Sequence, residues 1–157
     1  MPPEDAVPRD AIELLAADHD VLRTLAGKLS SAAAGDGGVR EELLARIDRA
    51  LQIHSMIEEE IFYPAVKAAG GSEEARMFYE AIEEHRAIEK LVLPDLRKIT
   101  PSSDRFSGRA KVLQHLVEHH ADEEEREMFA AARQLFSDQQ LAELGARMER
   151  RKRALGG

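Results

Sequence analysis

Hydrophobic positions recur at helical spacing along almost the whole of this chain. Ile12, Leu15, Leu22, Leu25 and Leu29 share one helix face, which predicts a first helix over about residues 10–33. The glycine-rich GDGG at 35–38 stops it. A second helix is expected over about 39–69, kinked or loosened by Pro64. Gly70-Gly71-Ser72 makes the next break, and Ser72 followed by Glu73 and Glu74 has the composition of a helix N-terminus. The third helix should run over about 72–99, with Pro94 disturbing its last turns. TPSSD at 100–104 separates it from a fourth over about 104–136, and Ser137 or Asp138 caps a last helix over about 138–153. No segment alternates in the manner of a half-buried strand. The expected fold is all-α: an antiparallel up-down-up-down four-helix bundle over about 10–136 with a short C-terminal helix, in a single domain spanning 1–157.

Four histidines interrupt the apolar stripes. His19, His54, His85 and His119 have Ala16, Leu51, Ile82 and Leu116 three residues before them. Three residues after them stand Leu22, Ile57, Ile88 and, as the exception, Asp122. Neighbours at this spacing share a helix face, so the four imidazoles are expected to point at the core. Glu58 and Glu123 follow His54 and His119 by one turn. The unit repeats, with 54 − 19 = 35 and 119 − 85 = 34 residues between histidines. The midpoints of successive histidines, 36.5, 69.5 and 102, fall in the three breaks. In an antiparallel bundle that places all four histidines in one layer, about 25 Å from each turn at roughly 1.5 Å per residue.

Composition narrows the chemistry. The chain of 157 residues is long enough for one domain with a real core and has no cysteine. Disulfides and thiolate-held metals are thereby excluded, and any metal must be held by nitrogen and oxygen. A formal net charge of −8 argues against general affinity for nucleic acid. The N-terminus MPPEDAVPRD lacks an apolar targeting core, and no stretch is long enough to span a bilayer, so no membrane association is expected and the expected compartment is the cytoplasm.

The candidate ligand set is His19, His54, Glu58, His85, His119 and Glu123. It is too large for one tetrahedral zinc and too rich in imidazole for calcium or magnesium. It suits two first-row ions bridged by the two glutamates, with iron the leading candidate and manganese second. Six side chains do not fill two octahedral ions. Positions remain for solvent, an oxo or hydroxo bridge, and a small ligand such as dioxygen, peroxide or nitric oxide. The plain alternative is a bundle with incidental core histidines. A ferritin-like site would need Glu-x-x-His, and every position three before a histidine here is apolar.

The stretches AIELLAADHDVLR, HSMIEEEIFYP, EEHRAIEKL and HLVEHHADEEEREMF, in this order over about 10–136, resemble the hemerythrin-like, or HHE cation-binding, family. That resemblance implies an antiparallel four-helix bundle around a non-haem di-iron centre, with the same six residues as ligands and Glu58 and Glu123 bridging. Oxygen-carrying members have a fifth histidine in a His-x-x-x-His pair on the third helix. Here the positions four away from His85 are Ala81 and Glu89. This departure favours peroxide turnover, nitric oxide binding, or redox and iron sensing over reversible oxygen carriage. Ala130 stands where many relatives have a proline.

Other residues are open to two readings. His115 or Glu89 would add a ligand, His120 reads as an outer or surface histidine, and Glu59, Glu60, Glu124 and Glu125 read as solvated faces or as outer hydrogen-bond partners of the ligands. Tyr63 and Tyr79 either line the cavity or pack the core. Two functions stay in view: a di-iron protein with catalase-like peroxide turnover, and a non-enzymatic iron, oxygen or nitric oxide sensor acting through a protein partner. Whether the chain is an enzyme is left open by the sequence, as is its oligomeric state.

Overall fold

The structure is a computed structural model and describes residues 9–157. Four long helices and a shorter terminal one form an antiparallel bundle. α1 is Ala11–Ser31. Asp10 starts it by accepting the Glu13 amide at 2.8 Å, while the Glu13 carboxylate accepts the Asp10 amide at 3.1 Å. α2 joins Gly37–Ile57, a wide turn over Glu58–Phe62 and Tyr63–Ala69. α3 joins Ser72–Ala87, Ile88–Val92 and Leu93–Lys98. α4 joins Asp104–Glu123, Glu124–Met128 and Phe129–Leu135. α5 is Asp138–Ala154, capped by Ser137 through the Gln140 amide. α1 packs against α2, α4 and α5. No strand occurs among the described residues, and none of their helices is long and apolar enough to cross a membrane.

The three wide turns are π-helical, with amides reaching back five residues: Tyr63 to Glu58, Leu93 to Ile88 and Phe129 to Glu124. Two have a physical cause in the sequence. Pro64 and Pro94 each stand six residues after the start of the turn, and their rings would strike the carbonyl four residues back in an ideal helix. Widening the turn relieves the clash without ending the helix. The kinks expected at these prolines are therefore π turns. The third has Ala130 at the corresponding position and no proline to announce it.

A polar layer divides the core into two apolar halves. One contains Ile12, Leu15, Phe62, Val66, Phe129 and Met148, and is closed by α5. The other contains Leu25, Leu29, Ile47, Leu93, Phe106 and Leu113. At the α1–α5 contact a Cβ on Gly145 would lie 2.5 Å from the Arg9 carbonyl and 2.8 Å from the Ala11 amide. Only glycine lets the two backbones approach this closely. At the far end Arg40 is 2% exposed. Its guanidinium donates to the carbonyls of Ala32 (2.9 Å) and Pro101 (2.8 Å) and to the Ser107 hydroxyl (2.7 Å), and lies over the Phe106 ring. It thus ties the α1–α2 and α3–α4 connections together.

Candidate metal centre

The polar layer is built by one histidine from each long helix. His19 follows Leu15 on α1, His54 follows Leu51 on α2, His85 follows Ala81 on α3, and His120 follows Val117 on α4, each on the buried face. Glu58 and Glu124 come one turn after His54 and His120, and their side chains are 0% and 2% exposed. All four imidazoles turn Nε2 inward toward these two carboxylates. His54 and His85 stand 2.8 and 3.2 Å from Glu58 Oε1. His19 is 3.4 Å from Glu124 Oε1 and His120 is 3.3 Å from Glu124 Oε2. Nε2 of His85 and Nε2 of His120 face each other at 3.2 Å.

Each Nδ1 turns outward to a second carboxylate, always from the preceding helix around the bundle. Asp18 of α1 meets His54 at 3.1 Å, and Glu59 of α2 meets His85 at 2.9 Å. Glu84 of α3 meets His120 at 3.5 Å. Glu125 of α4 stands 3.5 Å from Nδ1 of His19, close enough for charge attraction, and closes the ring. Each outer carboxylate is the sequence neighbour of an inner residue: 18 beside 19, 59 beside 58, 84 beside 85, 125 beside 124. A step of one residue turns about 100° around a helix, which aims the outer group at the adjacent helix. Lys152 of α5 grips Asp18, and Arg23 grips Glu125. His19 stacks on Phe129 at 5.5 Å, and Tyr63 stacks on His85 at 5.5 Å while its hydroxyl donates to Glu124.

An imidazole that presents Nε2 to a shared centre and anchors Nδ1 on a carboxylate has the arrangement of a metal-ligating histidine. Ligand atoms of His19, His54, Glu58, His120 and Glu124 lie within 4.8 Å of one another. Buried polar atoms are left without a hydrogen-bond partner here: both nitrogens of His19, both oxygens of Glu58, Nε2 of His54 and Oε1 of Glu124. Buried orphans of this kind are costly, and a cation among them satisfies them together. The donor set therefore fits a metal centre.

The hemerythrin HHE cation binding domain family matches residues 10–132. The chain belongs to this family. Among similar proteins, the uncharacterized protein Rv2633c of Mycobacterium tuberculosis is 31% identical over 150 residues, covering 94% of this chain and 88% of that one. A DNA nickase of Nostoc is 28% identical over 128 residues. The match covers 82% of this chain, which spans only 35% of the nickase. The crystal structure of an HHE cation binding domain-containing protein of Mycobacterium kansasii, an Rv2633c homolog, superposes with a TM-score of 0.80 at 30% identity, covering 94% of this chain and 87% of that one.

Against this HHE frame, the structure brings together four of the six sequence-expected residues: His19, His54, Glu58 and His85. It does not bring in His119 and Glu123. His119 is 67% exposed and pairs with Glu123 on the outside of α4. The adjacent His120 and Glu124 occupy the inner positions instead. The cause is the stripe on α4, where Leu113, Val117, His120 and Glu124 are buried while Leu116 is only partly so. Two signals were available. Asp122 breaks the apolar pattern around His119, and His120 restores the repeat, since 120 − 85 = 35 matches 54 − 19 = 35. Glu59 and Glu125, read as solvated or as outer hydrogen-bond partners, take the outer role beside His85 and His19, whereas Glu124, read the same way, is buried at an inner position. Asp18 and Glu84 were missed because their partners lie on other helices. His115 and Tyr79 are exposed, whereas Tyr63 is buried against the centre.

The charges of the HHE site hold one another in place. Burial pushes the His54 imidazolium down, but the Glu58 charge and the Asp18 acceptor outweigh it and raise its pKa to about 10. Burial pushes Glu58 up, yet the facing His54 holds it well below the usual carboxylate range. Glu124 goes the other way, raised by burial and then by the neighbouring Glu58 charge. Burial, followed by the Glu124 charge, keeps the Tyr63 hydroxyl protonated well above its ordinary range.

Proposed function

We propose that this HHE domain holds two iron ions and handles a small oxygen or nitrogen oxide species, with peroxide disproportionation as its enzymatic activity. The observation that carries this reading is the double ring of four inward Nε2 atoms around two buried carboxylates, each imidazole backed by an outer carboxylate. His19, His54, His85 and His120 would be the nitrogen ligands, with Glu58 and Glu124 bridging. Two iron ions cycling between ferrous and ferric states would supply the electron changes by which two peroxides give two waters and one dioxygen.

The residues of the chain do the rest. Asp18, Glu59, Glu84 and Glu125 orient the imidazoles. Leu22, Leu51, Ile88 and Val117 surround the four histidines in a small cavity, which restricts access to small molecules and limits bulk water. Tyr63 is the one hydroxyl hydrogen-bonded to an inner ligand among the described residues. It keeps its proton against the Glu124 carboxylate, where it can serve a bound oxygen species.

Elemental analysis of protein purified without chelators tests the reading. About two irons per chain and peroxide-dependent dioxygen release are expected. Protein that is metal-free and refuses ferrous iron under anaerobic reconstitution would overturn it.

A second reading, a sensor without turnover, is favoured by one contact. Lys152 of α5 holds Asp18, which holds His54, so the terminal helix is coupled to the centre. Ligand-dependent hydrogen exchange in α5, with negligible peroxide turnover by the metallated protein, would select it.

A further inference from the structure

The histidine that does not enter the core has partners of its own. His119 Nε2 stands 2.9 Å from Glu123 Oε2, one turn on, and 3.7 Å from Glu84 Oε2 across the α3–α4 groove. Ligand atoms of the three residues lie within 4.8 Å of one another. One imidazole with two carboxylates, partly open to water, is a donor set for a divalent first-row cation that keeps several of its waters. Glu123 Oε2 is itself buried and has no hydrogen-bond partner.

A second observation points the same way. Beside this trio a narrow cleft of about 20 Å³ lies between α3 and α4, and Glu84 and Glu123 of the trio line it. Glu80, Glu84, Glu123 and Glu127 line its outer part, and the buried inner residues His120 and Glu124 also form its wall. Glu124 is 2% exposed and carries an orphan oxygen. No lysine or arginine lines the cleft, and its glutamates outnumber its one histidine, so its field draws cations inward. Glu84 belongs to both sites: Oε1 faces Nδ1 of His120 at 3.5 Å, and Oε2 faces His119.

We propose that Glu84, His119 and Glu123 form a second, weaker divalent-cation site at the mouth of this cleft, from which ferrous iron is loaded into the inner centre. The loading role rests on the inner metal reading, whereas the outer site stands on its own geometry. A cation captured there exchanges part of its water for carboxylate and imidazole before it meets the apolar interior. Passage then leads along Glu84 toward His120 and Glu124.

The test uses the full-length metal-free protein and the double variant H119A/E123Q, which changes an exposed residue and replaces a mostly buried carboxylate with its isosteric amide and should leave folding intact, as a melting curve verifies. Manganous ion is the probe for weak binding, followed by the loss of its free-ion magnetic resonance signal. Ferrous iron under anaerobic conditions is the probe for loading, followed as chelator-resistant iron against time. The wild type should show a weak manganous class that the double variant lacks. The variant should reach the same final iron content about tenfold more slowly, the lower end of what a focusing field contributes. An unchanged weak class, or filling at the wild-type rate, overturns the proposal. A wild type with the weak class but no chelator-resistant iron would instead reject the inner centre and its loading, leaving the outer site standing.

Discussion

Adjacent histidines on α4 offer a direct test of which one serves the interior, by comparing His120→Ala with His119→Ala. In the metal-free protein His120 stands 3.3 Å from Glu124 and 3.8 Å from Glu58. Removing it leaves two buried carboxylates with less compensating charge. Truncating one partner of a buried pair costs about 3–5 kcal/mol. The lower end applies, because Glu124, whose carboxyl burial already pushes up, can take a proton instead. In a chain of this size each kcal/mol moves the melting temperature by about 2–4 °C, so a drop of about 6–12 °C is expected for a loss of about 3 kcal/mol. The exposed His119–Glu123 pair is worth at most about 1 kcal/mol, and its loss should move the melt by no more than about 4 °C. Differential scanning calorimetry of the metal-free proteins gives these values, and elemental analysis after equilibrium loading gives the functional half. His120→Ala should lose inner metal, while His119→Ala should keep it. Were His119→Ala to melt early and lose its inner metal while His120→Ala kept both, the inward register assigned to α4 would be wrong.

Other expectations follow from single contacts. Arg40→Ala removes donors from two loop carbonyls and a hydroxyl at a buried site, and urea unfolding should register a loss of about 3–5 kcal/mol; a loss under 1 kcal/mol would show that water replaces the guanidinium freely. Gly145→Ala drives a methyl group into the backbone at Arg9–Ala11, and should destabilise by about 1–3 kcal/mol despite the better helix propensity of alanine; a stabilised variant in thermal melts would mean that α5 lifts away without penalty. Tyr63→Phe keeps the ring stacked on His85 but removes the hydroxyl, so iron content should hold while peroxide turnover falls about 10²-fold, the low end for a lost proton donor; turnover equal to wild type in a dioxygen-release assay would leave Tyr63 a packing residue.

Much of this architecture was legible because turns and stripes are local. GDGG, Gly70-Gly71-Ser72 and TPSSD mark the three connections, and the helices end within a few residues of where the spacing places them. The register of α4 was harder to read. Leu116 and Val117 are both apolar, His119 and His120 each have a glutamate four residues on, and the midpoint of His85 with either one falls in the same turn. The turn test therefore has no power to separate them, and only the equal spacing of 35 residues and the break at Asp122 do. The outer carboxylates were hidden for a different reason. Asp18 and His54 are 36 residues apart and meet only when the helices pack. Arg40 was equally opaque, since two of its partners are carbonyls of the connections, with no side-chain signature. Pro64 and Pro94 announced two of the π turns, whereas the one at Glu124–Met128 has no local cause in the sequence.

The polar layer has a consequence for how the chain tolerates change. Leu15 and Leu29 sit on one helix yet belong to separate apolar halves. Fourteen residues at about 1.5 Å each put them roughly 20 Å apart, with the ring of imidazoles and carboxylates between. Substitutions that far apart, sharing no neighbours, add their effects nearly independently. Each half can thus be redrawn by mutation while the other stays as it is, provided the layer between them keeps its four inward rings. The bundle behaves as two adjustable modules joined by one fixed part, and that part is the candidate metal centre.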